Sequence, residues 1–381
     1  MQQKKIAFVH YPHHVNAARL DTMPFALNSV IYLAKMGWSV DLYLWEEKSD
    51  CYDNLLPDTV NINYLKDSKF SLQSKLNQIR SILLAFQFQS LDKYYCVFGL
   101  GQIGAYLANI IAKSSKCPFV YFNDEFPSCW LDSHWAKLER QAVRDAVMIV
   151  LPDPQRFYHL SKELDVSTKP NAFLPNIPIQ NLSVEKINWH EKLRIPKDSI
   201  PILHAGSIDE HKQIPEILAS VPYWHEKAVL ILHSRFNEGL KIYRKQLSHL
   251  EVDGKVFWSY EPMSERQLNS LVSYCAANFA LYRNTGPNIE YTGFSSGKLM
   301  RSLIFGSPII ASKLSSFAFI KDYRLGVLVN HSVEIPAAIE EIIYNRQVYS
   351  QNCLDFCQTI VSFENAWQKF CDQLQYVNIN L

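Results

Sequence analysis

A chain of 381 residues is too long for one ordinary hydrophobic core and suits two domains of Rossmann size. It is 48% hydrophobic and 20% charged, with 38 Lys and Arg against 37 Asp and Glu, which excludes disordered, collagen-like and fibrous classes. A net charge of +1 leaves no basic surplus to neutralise a phosphate backbone, so no nucleic-acid partner is expected. The eight cysteines are scattered, with no Cys-x2-Cys pair and no zinc spacing, so reduced thiols and no metal are expected. The apolar run after the charged N-terminus spans only Ile6 to Val9, and no stretch approaches 18 apolar residues. A cytoplasmic chain is therefore expected.

In chain order, KIAFVHY reads as a buried strand, PFALNSVIYLAKMGW as a helix ending near Gly37, and SVDLYLW as the next strand. Strand, helix, strand at this spacing is a parallel βαβ unit. YYCVFGLG, QIGAYLANIIAKSSK, CPFVYFNDE, SHWAKLERQAVRD and AVMIVLP repeat the alternation. Residues 179–198 carry charge without a sustained period and read as an interdomain linker with a little local structure. A second series follows: PILHAGS, IPEILASVPYW, AVLILHS, LKIYRKQLSHL, KVFWSY, SERQLNSLVSYC, ANFALYR, SGKLMRSLIFG and SPIIAS. The tail TIVSFENAWQKFCDQL is amphipathic and helical, and is expected to return to the first domain. The fold class is thus α/β, with two doubly wound Rossmann-like domains, residues 1–180 joined by 361–381 and residues 181–360. They are expected to face across a cleft at the carboxyl ends of both sheets.

Gly99-Leu100-Gly101-Gln102-Ile103-Gly104 follows a strand and opens a helix, and Asp124 and Glu125 end the next strand. This is the context of a dinucleotide fingerprint, so an NAD(P)-dependent oxidoreductase is the rival reading. Against it, several strand-helix passages precede the motif, and no His with a nearby carboxylate for hydroxy-acid chemistry is evident. The preferred reading of the glycines is small residues that pack a helix close to a sheet.

In the second domain, Thr292 to Arg301 (TGFSSGKLMR) leads from an irregular segment into a helix that stops at Phe305-Gly306. Ser295 or Ser296 is a natural N-cap. The free first-turn amides, Gly297 for close approach and the charge of Lys298 make a diphosphate cradle. It is not a Walker A loop, because Leu299 stands where the magnesium-binding hydroxyl would be.

With Gly-Ser-Pro-Ile-Ile-Ala-Ser after it, this helix resembles the donor-site helix of GT-B glycosyltransferases, the retaining family 4 type in particular. The resemblance covers most of the chain. Ala205-Gly206-Ser207 to Lys212 resembles the first donor-domain strand and its loop, and Lys255 to Ser264 the strand and turn that hold the nucleobase. Asp145 to Pro154 and Phe173 to Pro178 resemble the end of the acceptor domain, and SFENAWQKF the crossover helix. Two departures stand out. The family's Glu-x7-Glu motif falls on Gly293 and Arg301, and Arg cannot accept from a ribose diol. Ser207 replaces the usual phosphate-binding Arg, leaving Lys212 as its partner and Arg235 or Arg283 to supply the charge.

The resemblance implies transfer of a hexose, with glucose from UDP-glucose as the default donor, to a glycan or lipid-linked sugar acceptor in polysaccharide biosynthesis, with retention and without a metal. Lys298, Lys212 and the helix amides at Ser295, Ser296, Gly297, Lys298 and Leu299 would stabilise the leaving diphosphate. Gly206, Ser207 and Arg235 would line the donor site, and Tyr260, Glu261 and Met263 would hold the base. On the acceptor side, Asp124, Glu125 or His14, in the His10-His13-His14 loop, would take or orient the hydroxyl proton. Residues 69–88 are basic and apolar at helical spacing, a pattern that suits either peripheral membrane contact or a sheet-covering helix. A non-catalytic nucleotide-sugar binder is the remaining alternative.

Overall fold

The computed structural model describes residues 5–11, 19–46, 48, 52, 55–65, 94–126, 134–178, 183–234 and 237–381. The chain forms two compact units, Met1–Asn176 with Phe363–Leu381, and Ile177–Ser362.

The first unit is built on seven strands: β1 (Lys5–His10), β2 (Ser39–Leu44), β3 (Val60–Tyr64), β4 (Tyr94–Leu100), β5 (Phe119–Phe122), β6 (Met148–Leu151) and β7 (Asn171–Phe173). Every pair is parallel and the order is β3-β2-β1-β4-β5-β6-β7. The direction of winding reverses between β1 and β4, which makes their carboxyl ends the topological switch point. The strands are continuous apolar runs because helices cover both faces of a parallel sheet. Ile6, Ala7, Phe8 and Val9 of β1 are all fully buried.

Helix Phe363–Tyr376 closes this unit. Phe363, Trp367, Phe370 and Leu374 recur at four- and three-residue spacing, and all four are buried. Phe370 meets Phe98 of β4 and Phe122 of β5 at ring centroid distances of 6.4 and 6.2 Å. Burying a ring of this size contributes about 1.5–3 kcal/mol.

The glycine triplet is consumed by packing. A Cβ on Gly99 would lie 2.6 Å from the Ala108 Cβ, and one on Gly104 would lie 2.9 Å from the Val9 carbonyl oxygen and 3.1 Å from the Tyr11 nitrogen. Helix Gly101–Ser115 therefore lies directly against β1 and β4, as only glycine permits. Gly101 needs its glycine for φ of +71° where the chain turns from β4 into the helix.

The second unit holds β8 (Ile200–Ala205), β9 (Ala228–His233), β10 (Val256–Ser259), β11 (Ala277–Ala280), β12 (Ile309–Ser312) and β13 (Gly326–Val329), in the order β10-β9-β8-β11-β12-β13. All pairs are parallel, and winding reverses between β8 and β11. Separate apolar clusters cover its two faces, one around Phe279, Ile310 and Ile339, the other around Trp189, Ile231 and Leu271.

The linker expected at 179–198 is not one where it is described. Residues 183–198 belong to the second unit. Asn188 caps the short helix Trp189–Lys192, Trp189 is 1% exposed, and its indole nitrogen donates to Ser270 Oγ at 3.0 Å. Trp189 and Ile195 anchor the segment, with Ile187 and Leu193 packed against the same cluster, and apolar residues so few and unevenly spaced give no sustained period. The helical segment expected at 69–88, read as either membrane-facing or sheet-covering, lies outside the described residues. Among the described residues, no helix is long and apolar enough to cross a membrane.

Candidate functional site

In the second unit, β8 ends at Ala205 and the chain turns at Gly206, whose φ of +121° is strained for any L side chain. The Gly206 amide donates to the His233 carbonyl at 3.0 Å. Asp209 caps a single 3-10 turn, Glu210–Lys212, its Oδ1 accepting from the Lys212 amide at 3.1 Å. Gln213 donates through Nε2 to the Tyr282 carbonyl at 2.8 Å and to Ser312 Oγ at 3.2 Å. The Arg283 amide donates to the His211 carbonyl at 2.8 Å. These bonds hold the turn after β8 against the segment after β11, across the switch point.

The Tyr282 ring lies beneath two lysines beside this turn. Lys212 Nζ lies 4.5 Å and Lys298 Nζ 5.1 Å from its ring centroid, within the range of a cation-π contact. Tyr282 Oη and Ser296 Oγ are 2.8 Å apart. Ser296 caps helix Gly297–Ile304, accepting from the Leu299 amide at 3.4 Å. The first-turn amides of Gly297 and Lys298 have no carbonyl in their own helix. Ser295 lies in the 3-10 turn before the cap.

The electrostatics are one-sided. Lys298 Nζ is shielded from solvent and has no hydrogen-bond partner among the described residues. Burial, then the charge of Lys212, pushes its ammonium down to about 7. Burial also lowers Lys212. His204 is fully buried, donates through Nε2 to the Ser207 carbonyl at 3.0 Å, and is held neutral by burial and by Lys298. The opposing carboxylate is Asp209, already committed to the Lys212 amide. Two ammonium groups, two first-turn amides and a glycine turn, set against a single carboxylate, form a site for an anion with two or more negative charges.

Other donor-side expectations are placed as follows. Arg235 lies outside the described residues, and Arg283 pairs with Glu216. Tyr260 Oη accepts from Arg244 at 2.7 Å, Glu261 is exposed, and Met263 packs against the Trp189 cluster. Arg301 is turned away from any ligand role. Its guanidinium pairs with Glu265 at 2.6 Å and donates to Asn269 Oδ1 at 2.5 Å, fastening helix Gly297–Ile304 to helix Glu265–Tyr274. Gly293 is buried, its amide donating to Ser316 Oγ at 3.2 Å.

In the first unit, Asp124 and Glu125 follow β5 near the switch point. A Cβ on Gly101 would stand 3.6 Å from Asp124 Oδ1, which puts that carboxylate at the start of helix Gly101–Ser115. Burial raises Asp124. Glu125 is open to solvent on one side, and the protein around it together with the Asp124 charge pushes it up to about 7. His14 lies outside the described residues. His10, at the end of β1, is 1% exposed, with neither ring nitrogen hydrogen-bonded among the described residues and Glu46 Oε1 3.7 Å from Nδ1. Sequence reading missed Arg156, which is 1% exposed and donates through NH2 to the Asp124 carbonyl at 2.8 Å. It also missed Glu139, on a helix whose amphipathic pattern gives no sign that a carboxyl would be fully buried. Among the described residues, no group of three His, Cys, Asp or Glu stands close enough to hold a metal ion.

Solved structures share this fold over nearly the whole chain. HepE from Anabaena, determined in complex with UDP-glucose, matches with a TM-score of 0.70 at 14% identity, over 98% of this chain and 99% of that one. Sucrose-phosphate synthase from Thermosynechococcus elongatus matches at 0.71 and 14%, over 98% and 99%. WaaG, a glycosyltransferase involved in lipopolysaccharide biosynthesis, matches at 0.65 and 12%, over 96% and 98%. The two-sheet α/β fold is thus the one seen in these GT-B glycosyltransferases. No protein-family model matches the chain, and no curated protein matches its sequence.

Proposed function

We propose that the protein is a nucleotide-sugar glycosyltransferase of the family 4 kind, moving a hexose from a UDP-sugar, with UDP-glucose the default donor, to a glycan or glycolipid in polysaccharide synthesis. The observation that carries this reading is the Lys212–Tyr282–Lys298 cluster at the N-terminus of helix Gly297–Ile304. The complexes of HepE with UDP-glucose and with UDP support the choice of donor.

In this reading the second unit binds the donor. As the bond between the anomeric carbon and the β-phosphate oxygen breaks, negative charge collects on the departing UDP. Lys298, Lys212 and the Gly297 and Lys298 amides meet that charge, a preorganised contribution that strengthens as the bond lengthens. The acceptor hydroxyl oxygen bonds the anomeric carbon, and its proton passes to Asp124 or Glu125, whose raised affinities for a proton suit a base working near neutrality. Retention follows from the family resemblance. Arg301, committed to Glu265, cannot take the ribose hydroxyls, so the ribose is held by other groups.

Thermal stability measured with UDP, GDP, ADP and NADH tests the reading, since a ligand at 100 times its Kd adds about 2.7 kcal/mol. Stabilisation by UDP followed by UDP release from UDP-glucose is the expected result. NADH stabilising the chain when no nucleoside diphosphate does would overturn it. UDP binding without turnover would leave a non-catalytic binder.

A further inference from the structure

The turn that carries Asp124 and Glu125 is gripped from two directions, and both grips fall on main-chain carbonyls rather than on the carboxylates. From one side Arg156 donates to the Asp124 carbonyl at 2.8 Å, its guanidinium lying 4.2 Å from the Phe126 ring centroid. From the other, Asn123 Nδ2 donates to the Glu125 carbonyl at 2.6 Å and to Tyr121 Oη at 2.8 Å, and Tyr121 Oη donates to Glu139. Asn123, Tyr121 and Glu139 are each fully buried.

Stability alone does not account for this chain. Elsewhere the same sheet is packed with Phe8, Phe98 and Phe122, and an apolar pair in place of Tyr121 and Glu139 would avoid desolvating a carboxyl. Nor is the network closed among the described residues: there Glu139 Oε2 and Asn123 Oδ1 are buried with no hydrogen-bond partner, a state that costs free energy. What the arrangement does secure is the backbone of the turn that carries two carboxylates near the switch point.

We infer that Arg156 and the Glu139–Tyr121–Asn123 chain are positioning residues, fixing the Asp124–Glu125 turn so that its carboxylates meet the acceptor hydroxyl. The inference rests on the transferase reading above. Burial pushes the Glu139 carboxyl up to about 8, so it is protonated near neutrality and a glutamine is close to its isostere there. Lysine in place of Arg156 keeps the charge but loses the planar stack on Phe126.

The test is steady-state UDP release from UDP-glucose by the full chain, with water and with octyl glucoside as acceptors, alongside UDP binding. Glu139→Leu, Tyr121→Phe and Arg156→Lys should lower kcat, the first on the order of 10²-fold as expected for carboxylates displaced by about 1 Å. The KM for UDP-glucose and the Kd for UDP should stay unchanged. Glu139→Gln, which still accepts from Tyr121, should recover most of the rate. Variants that bind UDP and release it at the wild-type rate overturn the inference alone, as does a Gln variant as impaired as the Leu variant. If Glu139→Leu does not fold, Tyr121→Phe and Arg156→Lys carry the same comparison. Failure of UDP to bind the wild-type chain, or of UDP-glucose to turn over with either acceptor, overturns the inference together with the transferase reading.

Discussion

Lys298 should make donor binding depend on pH in a way that can be calculated. In the unliganded protein its ammonium is pushed down to about 7, by burial first and then by Lys212, whereas lysine ordinarily titrates near ~10.4. A bound diphosphate adds counter-charge beyond that of Asp209 and raises the value again. Above pH 7 the empty site has therefore lost a proton that the complex must regain, so affinity falls as pH rises. The protonated fraction drops from one-half at pH 7 to about 3% at pH 8.5, and UDP should bind about 15-fold more weakly there. Lys212, also lowered, acts in the same direction. Titration calorimetry in two buffers of different ionisation enthalpy reads both the Kd and the proton uptake. Lys298→Met should lose about 1.5–3 kcal/mol of UDP binding at pH 7, the scale of a charged hydrogen bond, and should flatten the pH dependence. The same substitution should stabilise the unliganded protein, with the full gain below pH 7 and a gain that shrinks from pH 7 to the unfolded value of ~10.4. A wild-type Kd that is constant from pH 7 to 8.5, or a Met variant that binds UDP normally, would refute the assignment of Lys298 to the diphosphate.

Arg301→Met should leave the Kd for UDP unchanged while lowering stability on the order of 1 kcal/mol, read from denaturant melts, because the arginine ties two helices together. Gly206→Ala should cost about 1–3 kcal/mol of stability and weaken UDP binding, since its φ of +121° strains an L residue although the space is open, with Lys298 Cε 3.7 Å away. Glu139 holds its proton up to about 8 when folded but only to ~4.3 when unfolded, so the chain loses stability as pH rises across that window. The melting temperature of Glu139→Gln relative to wild type should therefore climb from pH 5 to pH 8.

Much of the architecture follows from periodicity. The continuous apolar strands, the helices between them and the returning C-terminal helix are visible because each buries a complete face. β3 (VNINY) and β13 (GVLV) are short strands at the sheet margins, with too few residues for a period to register. Helix Ile335–Thr359 changes direction at Asn345, which breaks its apolar phase and hides it from pattern reading. The donor side is legible at Lys212, Ser296 and Lys298 because a helix N-terminus has a local signature. Tyr282 is not, since an aromatic beside a strand reads as core until a fold brings two lysines onto its face. Arg156 and Glu139 are hidden for the same reason: their partners lie at strand ends brought together only by sheet order.

Helix Phe363–Tyr376 belongs to a sheet synthesised long before it. Tyr32 Oη donates to Glu364 at 2.7 Å, and the Asn380 amide donates to Tyr95 Oη at 2.9 Å, bonds that span most of the chain. The first unit thus stays incomplete on the ribosome while the second, contiguous at Ile177–Ser362, already has every residue it needs. The order of folding should invert the order of the units in the gene, and the nascent first sheet exposes Phe98 and Phe122 until the end. Truncation before Phe363 should leave the second unit folded and send the first toward aggregation, a failure that proteolysis of the shortened chain would show as a surviving C-terminal fragment.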